Sequence, residues 1–176
     1  MDWFTDRHSF LLAVVLYGVS TVYSVFLWRK GFRRDDRVNY LLLLGALAFH
    51  TFAMAQRGFS LNRCPVNNLF EAMMFFTWVT NLSYLLLGLF RRFRFVGAFA
   101  APGLFAIGVF ALMPSLDPPH GPKPEFGGAL GSLHAALIML AYGAFGLATV
   151  AAVMFLTQEH NLKFNKLRAV FSLLPP

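Results

Sequence analysis

The feature that most constrains this chain is a set of long stretches without Asp, Glu, Lys or Arg. They run from Phe10 to Trp28, Val38 to Gln56, Ala72 to Phe90, Phe95 to Leu116 and Phe126 to Gln158. A helix needs about 20 apolar residues to cross the hydrocarbon core of a bilayer. Each stretch is long enough or nearly so, and together they fill the chain. Composition agrees: 57% of the residues are hydrophobic and 13% charged, against about 25% charged in a soluble domain. The predicted fold is therefore all-α, a polytopic transmembrane helix bundle with five spans at about 10–28, 38–56, 69–90, 95–113 and 132–156. Gly127, Gly128 and Gly131 break up the start of the last apolar stretch, which sets the expected beginning of the fifth span. Residues 1–176 form a single membrane domain, with no soluble appendage long enough to fold separately.

The net charge of +7 raises the question of nucleic acid, and the positions of the basic residues answer it. Arg29, Lys30, Arg33, Arg34 and Arg37 follow the first span, Arg91, Arg92 and Arg94 the third, and Lys163, Lys166 and Arg168 the fifth. Assigning these segments to the cytoplasm places eleven of the 15 basic residues inside, as the orientation rule for membrane proteins requires. The N-terminus is then expected outside and the C-terminus in the cytoplasm. Charge spread over three short membrane-flanking segments argues for membrane lipid as the neighbour and against a nucleic-acid partner. The start, Met1-Asp2-Trp3-Phe4-Thr5-Asp6, lacks the basic leader of a signal peptide, so the first span is expected to remain as an anchor.

Two segments fall on the expected outer face: Gln56 to Asn67, and Met113 to Gly128 with five prolines that forbid regular helix. The single cysteine, Cys64, excludes an internal disulfide and a Cys-x-x-Cys pair. It reads as a free thiol or a loop residue.

Histidines are the residues with most chemistry to offer. His50 lies six residues before the expected outer end of the second span, about 9 Å below the interface. An ionisable group at that depth is either a neutral imidazole hydrogen-bonded to a neighbouring helix or a ligand for a metal or haem. Arg57, seven residues on, emerges on the same helical face and suits a haem carboxylate or a lipid headgroup. His134 stands near the outer end of the fifth span, as a solvated polar cap or as a second imidazole converging on the same ligand. After it, Ala141, Gly143, Ala144, Gly146 and Ala148 would let another helix approach closely. Asn68 and Glu71 form Asn-x-x-Glu at the start of the third span, a variant of the capping box that assigns both a structural role. His120 is expected to be solvated, and His160 cytoplasmic.

The stretch His50-Thr51-Phe52-Ala53-Met54-Ala55-Gln56-Arg57-Gly58, followed by Cys64-Pro65-Val66-Asn67-Asn68-Leu69-Phe70-Glu71-Ala72 and Phe75-Phe76-Thr77-Trp78, resembles the cytochrome c assembly family of the CcsA, ResC and HemX type. In that family a membrane-embedded His precedes an Arg-Gly or Arg-Trp segment, a Pro-x-x-Asn-x-(Tyr/Phe)-Glu motif and an aromatic-rich helix. His134, with Leu140, Tyr142, Ala144 and Phe145, is similar to the family's external His at the start of a helix. The resemblance implies haem handling: haem b carried outward and presented to apocytochrome c. By motif it makes His50 and His134 the iron ligands and gives Arg57 or Arg63 the haem carboxylates. It also implies a second cytochrome c assembly subunit as partner and a bacterial-type inner membrane as the location. Complete members of the family carry further spans, a Trp-rich outer segment and a second external His. Trp3, Trp28 and Trp78 form no such segment here, so three expectations stand side by side: a fragment, a chain completed by a separate subunit, or a reduced branch. The resemblance implies part of a haem-attachment (synthase) system but assigns no catalytic residue. The alternative is a non-catalytic, HemX-like regulatory or scaffolding subunit.

Overall fold

The computed structural model describes residues 5–30, 37–61, 68–118 and 129–164. Among these residues there are five α-helices: α1 (Asp6–Lys30), α2 (Arg37–Leu61), α3 (Leu69–Leu87), α4 (Gly97–Ala111) and α5 (Ala129–Phe164). A 3₁₀ segment, Arg91–Val96, leads into α4, and a second, Pro114–Leu116, follows it. No strand occurs among the described residues. Among the described residues, the spans long and apolar enough to cross a membrane are Asp6–Leu27, Arg37–Leu61, Leu69–Leu87, Arg91–Ala111 and Leu133–Leu156. The protein is thus a multi-pass, all-α membrane protein.

The boundaries differ from the sequence expectation where local chemistry intervenes. The third helix stops at Leu87, before Phe90. Gly88 caps it with its N–H on the Tyr84 carbonyl. A Cβ at that position would lie 2.6 Å from the Tyr40 ring, so the absence of a side chain lets α2 close against the end of α3. At the fifth helix the apolar span is Leu133–Leu156, and the regular structure extends beyond it at both ends, from Ala129 to Phe164. Gly131 is helical: a single glycine costs a helix only about 1 kcal/mol.

Successive helices α1 to α4 alternate in direction, and cross-links at each end of the bundle fix this. At one end Arg57 of α2 bonds Asp6 at the start of α1 and Glu71 at the start of α3. At the other, Tyr40 of α2 donates to the Leu85 carbonyl near the end of α3, and Tyr84 donates to the carbonyl of Arg94 before α4. The core between them combines small, aromatic and aliphatic residues, among them Ala13, Tyr17, Leu43, Ala46, Ala101 and Leu104. Without water to drive apolar association, membrane helices pack through close contact, which small residues allow.

The fifth helix stands apart: it packs mainly on α3 and buries only Gly143 and Leu147 among its described side chains. The contact is close because of glycine. A Cβ on Gly143 would lie 2.3 Å from Val79 Cγ1, and one on Gly146 would lie 2.8 Å from Phe76 Cζ. Of the five small residues expected to admit a neighbour, these two meet α3. Gly143→Val is expected to lower stability by about 1–3 kcal/mol, as overpacking does, and to loosen α5 before the other helices. Thermal unfolding in detergent, with protease sensitivity along α5, measures it; an unchanged midpoint would refute the packing argument.

Candidate functional site

The site is built on one face of α2. Asn39, Leu43, Ala46, His50, Ala53 and Arg57 are its buried residues, a stripe repeating every three or four positions as an inward helical face must. His50 and Arg57 therefore share that face, two turns apart.

His50 is fully buried. Its Nδ1 lies 3.1 Å from the Tyr17 hydroxyl of α1, and Phe10 covers the ring with centroids 4.9 Å apart. Its Nε2 is buried without a hydrogen-bond partner, and the Met74 carbonyl approaches the ring outside hydrogen-bonding geometry. Tyr17 is held in turn by Asn81 of α3, whose Nδ2 donates to the Tyr17 oxygen at 3.2 Å and to the Leu43 carbonyl at 3.0 Å. Three helices thus meet at one imidazole.

Arg57 is the hub of a second cluster at the bundle's end and is only 5% exposed. Its Nε donates to Glu71 Oε1 at 3.0 Å, its Nη1 to Asp6 Oδ2 at 2.8 Å, and its Nη2 to Asp117 Oδ1. A guanidinium presents five N–H donors in a flat fork, so it can serve several carboxylates at once. Arg7 adds a second positive charge 3.6 Å from Asp117 and donates to the Leu112 carbonyl. Among the described residues, three carboxylates and two guanidiniums thus meet at this end of the bundle. The Arg57 guanidinium also sits 4.8 Å above the Phe70 ring. Phe70 meets Phe10 edge-on at 5.6 Å, and Phe10 meets His50. A column of two aromatic rings therefore joins the ion cluster to the imidazole and keeps the two polar groups apart.

Asn68 Oδ1 accepts from the Glu71 N–H at 2.7 Å, which is the N-cap expected from the sequence. Its Nδ2 also donates to Asp117 Oδ1 at 2.9 Å. Glu71 goes further than capping, since its carboxylate is fully buried and bound to Arg57. Asn68→Ala is expected to cost about 1 kcal/mol for the lost cap, with a further loss from the bond to Asp117. Chemical denaturation in detergent tests this; no change would mean that the cap is redundant.

The structure does not bring all the expected site residues together. Arg57 is already engaged by protein carboxylates. His134 is exposed on α5, the helix packed on α3 rather than on α2. Arg63, Cys64 and His120 lie outside the described residues, and of the His160 side chain nothing is described. Sequence reasoning missed Tyr17, Asn81, Asp6 and Asp117. For Asn81 a signal existed, an amide inside an apolar span, which marks either a packing bond or a pathway. Asp6 and Asp117 gave none beyond being acids at span ends.

Comparison with known proteins decides the family. The model of the cytochrome C assembly protein family matches residues 66–175. The chain belongs to the cytochrome c assembly family. Its match begins just before the Asn68–Glu71 cap and leaves α1 and α2 outside, but full-length comparisons include them. Protein HemX of Brevibacillus brevis is 28% identical over 173 residues, 96% of this chain and 62% of the relative. Protein HemX of Bacillus subtilis (strain 168) is 27% identical, covering 87% of this chain and 56% of the relative. The cytochrome c biogenesis protein CcsA of Trieres chinensis is 27% identical, covering 89% and 52%. This member of the cytochrome c assembly family thus spans between half and two thirds of the length of those relatives. No solved structure matches the chain.

Proposed function

We propose that this chain is a haem-binding membrane protein of cytochrome c biogenesis, acting in the delivery of haem b. The observation that carries the reading is His50: a buried imidazole inside the bundle with one nitrogen lacking a partner. A buried polar atom left unpaired in a packed core calls for an explanation, and a ligand role supplies one. Family membership supports the same reading. Haem, when bound, would supply the iron and is itself the cargo; the chain would contribute the imidazole of His50, whose ring packs against Phe10. Arg57 could pair with a haem carboxylate only by releasing Asp6, Glu71 or Asp117, and Arg63 is the other candidate. His134, exposed on α5, suits a transfer stage better than joint ligation with a sealed His50. The partners in this reading are a second cytochrome c assembly subunit and apocytochrome c.

The resemblance to proteins named HemX supports a second reading, a non-catalytic regulatory or scaffolding subunit. The structural observation in its favour is that Arg57 is already engaged by carboxylates. An absorbance spectrum of the chain purified in detergent with added haem separates the two. A Soret band altered by His50→Ala supports haem binding; spectra indifferent to both His50→Ala and His134→Ala support the scaffold.

For location we propose a bacterial-type inner membrane, with the N-terminus and the Arg57 end of the bundle outward. The excess of Arg and Lys at the opposite end supports this. A membrane-impermeant thiol reagent is expected to label Cys64 in intact spheroplasts. Labelling only after permeabilisation would reverse the orientation.

A further inference from the structure

The hydrogen bonds around His50 fix more than its position. Asn81 Nδ2 is 3.0 Å from the Leu43 carbonyl. Turning the amide over would set its oxygen against that carbonyl, so the amide is pinned as a donor there. The same nitrogen donates its other proton to the Tyr17 oxygen. Tyr17 has one proton of its own, and its hydroxyl lies 3.1 Å from His50 Nδ1. Hydrogen bonds that run in one direction along a chain reinforce each other, so the order is Asn81 to Tyr17 to His50.

We infer that Asn81 and Tyr17 form a relay that holds His50 as the tautomer protonated on Nε2 in the metal-free protein, with Tyr17 the positioning residue for this imidazole. A neutral imidazole carries a single ring proton, and if Nδ1 accepts from Tyr17 that proton lies on Nε2. Nε2 is the buried nitrogen without a partner. In its resting form His50 therefore carries an N–H, not a lone pair, at its buried Nε2.

The consequence bears on the proposed haem role, on which it rests for its meaning though not for its truth. Iron takes a lone pair, and a ligating histidine generally donates its other N–H to a neighbouring acceptor. For Nε2 to hold iron, the ring proton would have to pass from Nε2 to Nδ1, with no net gain or loss. The Tyr17 oxygen would then accept from Nδ1, with its own O–H turned away from the ring. One hydroxyl would thus oppose ligation in the metal-free protein and support it in the loaded one.

Nitrogen NMR of the metal-free protein labelled with ¹⁵N-histidine tests the relay directly. The five histidines are resolved by comparison with His50→Gln, which removes one pair of signals. The expected result for His50 is a pyridine-type Nδ1 and a pyrrole-type Nε2. Tyr17→Phe, which removes only the hydroxyl, is expected to erase that preference and leave the other four histidines unchanged. A wild-type protein with the proton on Nδ1 overturns the relay, and no variant is needed to see it. So does a Tyr17→Phe protein whose His50 signals equal the wild type's.

A second arm uses added haem. The iron–imidazole stretching band of the ferrous protein is expected at lower frequency in Tyr17→Phe, because Nδ1–H has lost its acceptor. An identical band overturns the positioning role toward iron. If no band depends on His50 at all, the haem reading fails, while the tautomer result stands on its own.

Discussion

Replacing Arg57 with Ala is expected to cost about 3–5 kcal/mol, the usual penalty for removing one partner of a buried ion pair. Such a loss is a large part of the 5–15 kcal/mol that holds a typical domain folded. The reason lies in what remains: Asp6, Glu71 and Asp117 would lose the guanidinium that bonds all three, and Glu71 has no exposed surface at all. Burying unpaired charge is among the most costly changes a core can suffer. Arg57→Lys is expected to fall in between, since an ammonium keeps the charge but lacks the fork that reaches three carboxylates. The measurement is thermal unfolding in detergent, with folded yield as a second readout. Unchanged stability combined with a lost haem spectrum would reassign Arg57 from bracing the helices to holding the cofactor.

His50→Ala is expected to be the second large effect, on the haem signal rather than on the fold. The change removes an imidazole that packs on Phe10 and bonds Tyr17, so some stability is lost as well, on the order of 1–3 kcal/mol for a truncated buried polar group. The spectrum is expected to vanish or turn high-spin. Free imidazole, which can enter the cavity left by the ring, should restore part of it. His134→Ala is expected to leave retained haem nearly unchanged and to slow its release to an acceptor. A normal spectrum in His50→Ala that imidazole does not alter would remove His50 from the ligand set.

Much of the architecture was legible in the residues. Apolar length gave the five spans, because a bilayer leaves a backbone little choice but to satisfy its own hydrogen bonds. The shared face of His50 and Arg57 followed from helical repeat, and the Asn68 cap from a four-residue pattern. These are local properties. The partners of Arg57 were not legible, since Asp6, Glu71 and Asp117 lie 51, 14 and 60 positions away from it. Likewise Tyr17 reaches His50 across 33 positions and Asn81 reaches Tyr17 across 64. Which polar groups meet in a bundle depends on how its helices are rotated against each other, and no local pattern encodes that rotation. Glu71 shows the difference within one residue: its backbone role was read from spacing, but its side chain's partner was not.

The distances along the chain that separate the members of the Arg57 cluster have a bearing on biosynthesis. A nascent chain emerges from its N-terminus, so Asp6 enters the membrane first, then Arg57 and Glu71. Asp117 comes only after the fourth helix has been made. Until that moment the guanidinium lacks the Asp117 carboxylate, and the helices bearing Asp6, Arg57 and Glu71 are held together at one end without the final strap. Completion of the cluster therefore waits for a distant part of the chain, a latch that shuts when the segment after α4 arrives. A bundle stalled before Asp117 would expose its unfinished ion cluster to the quality-control machinery of the membrane.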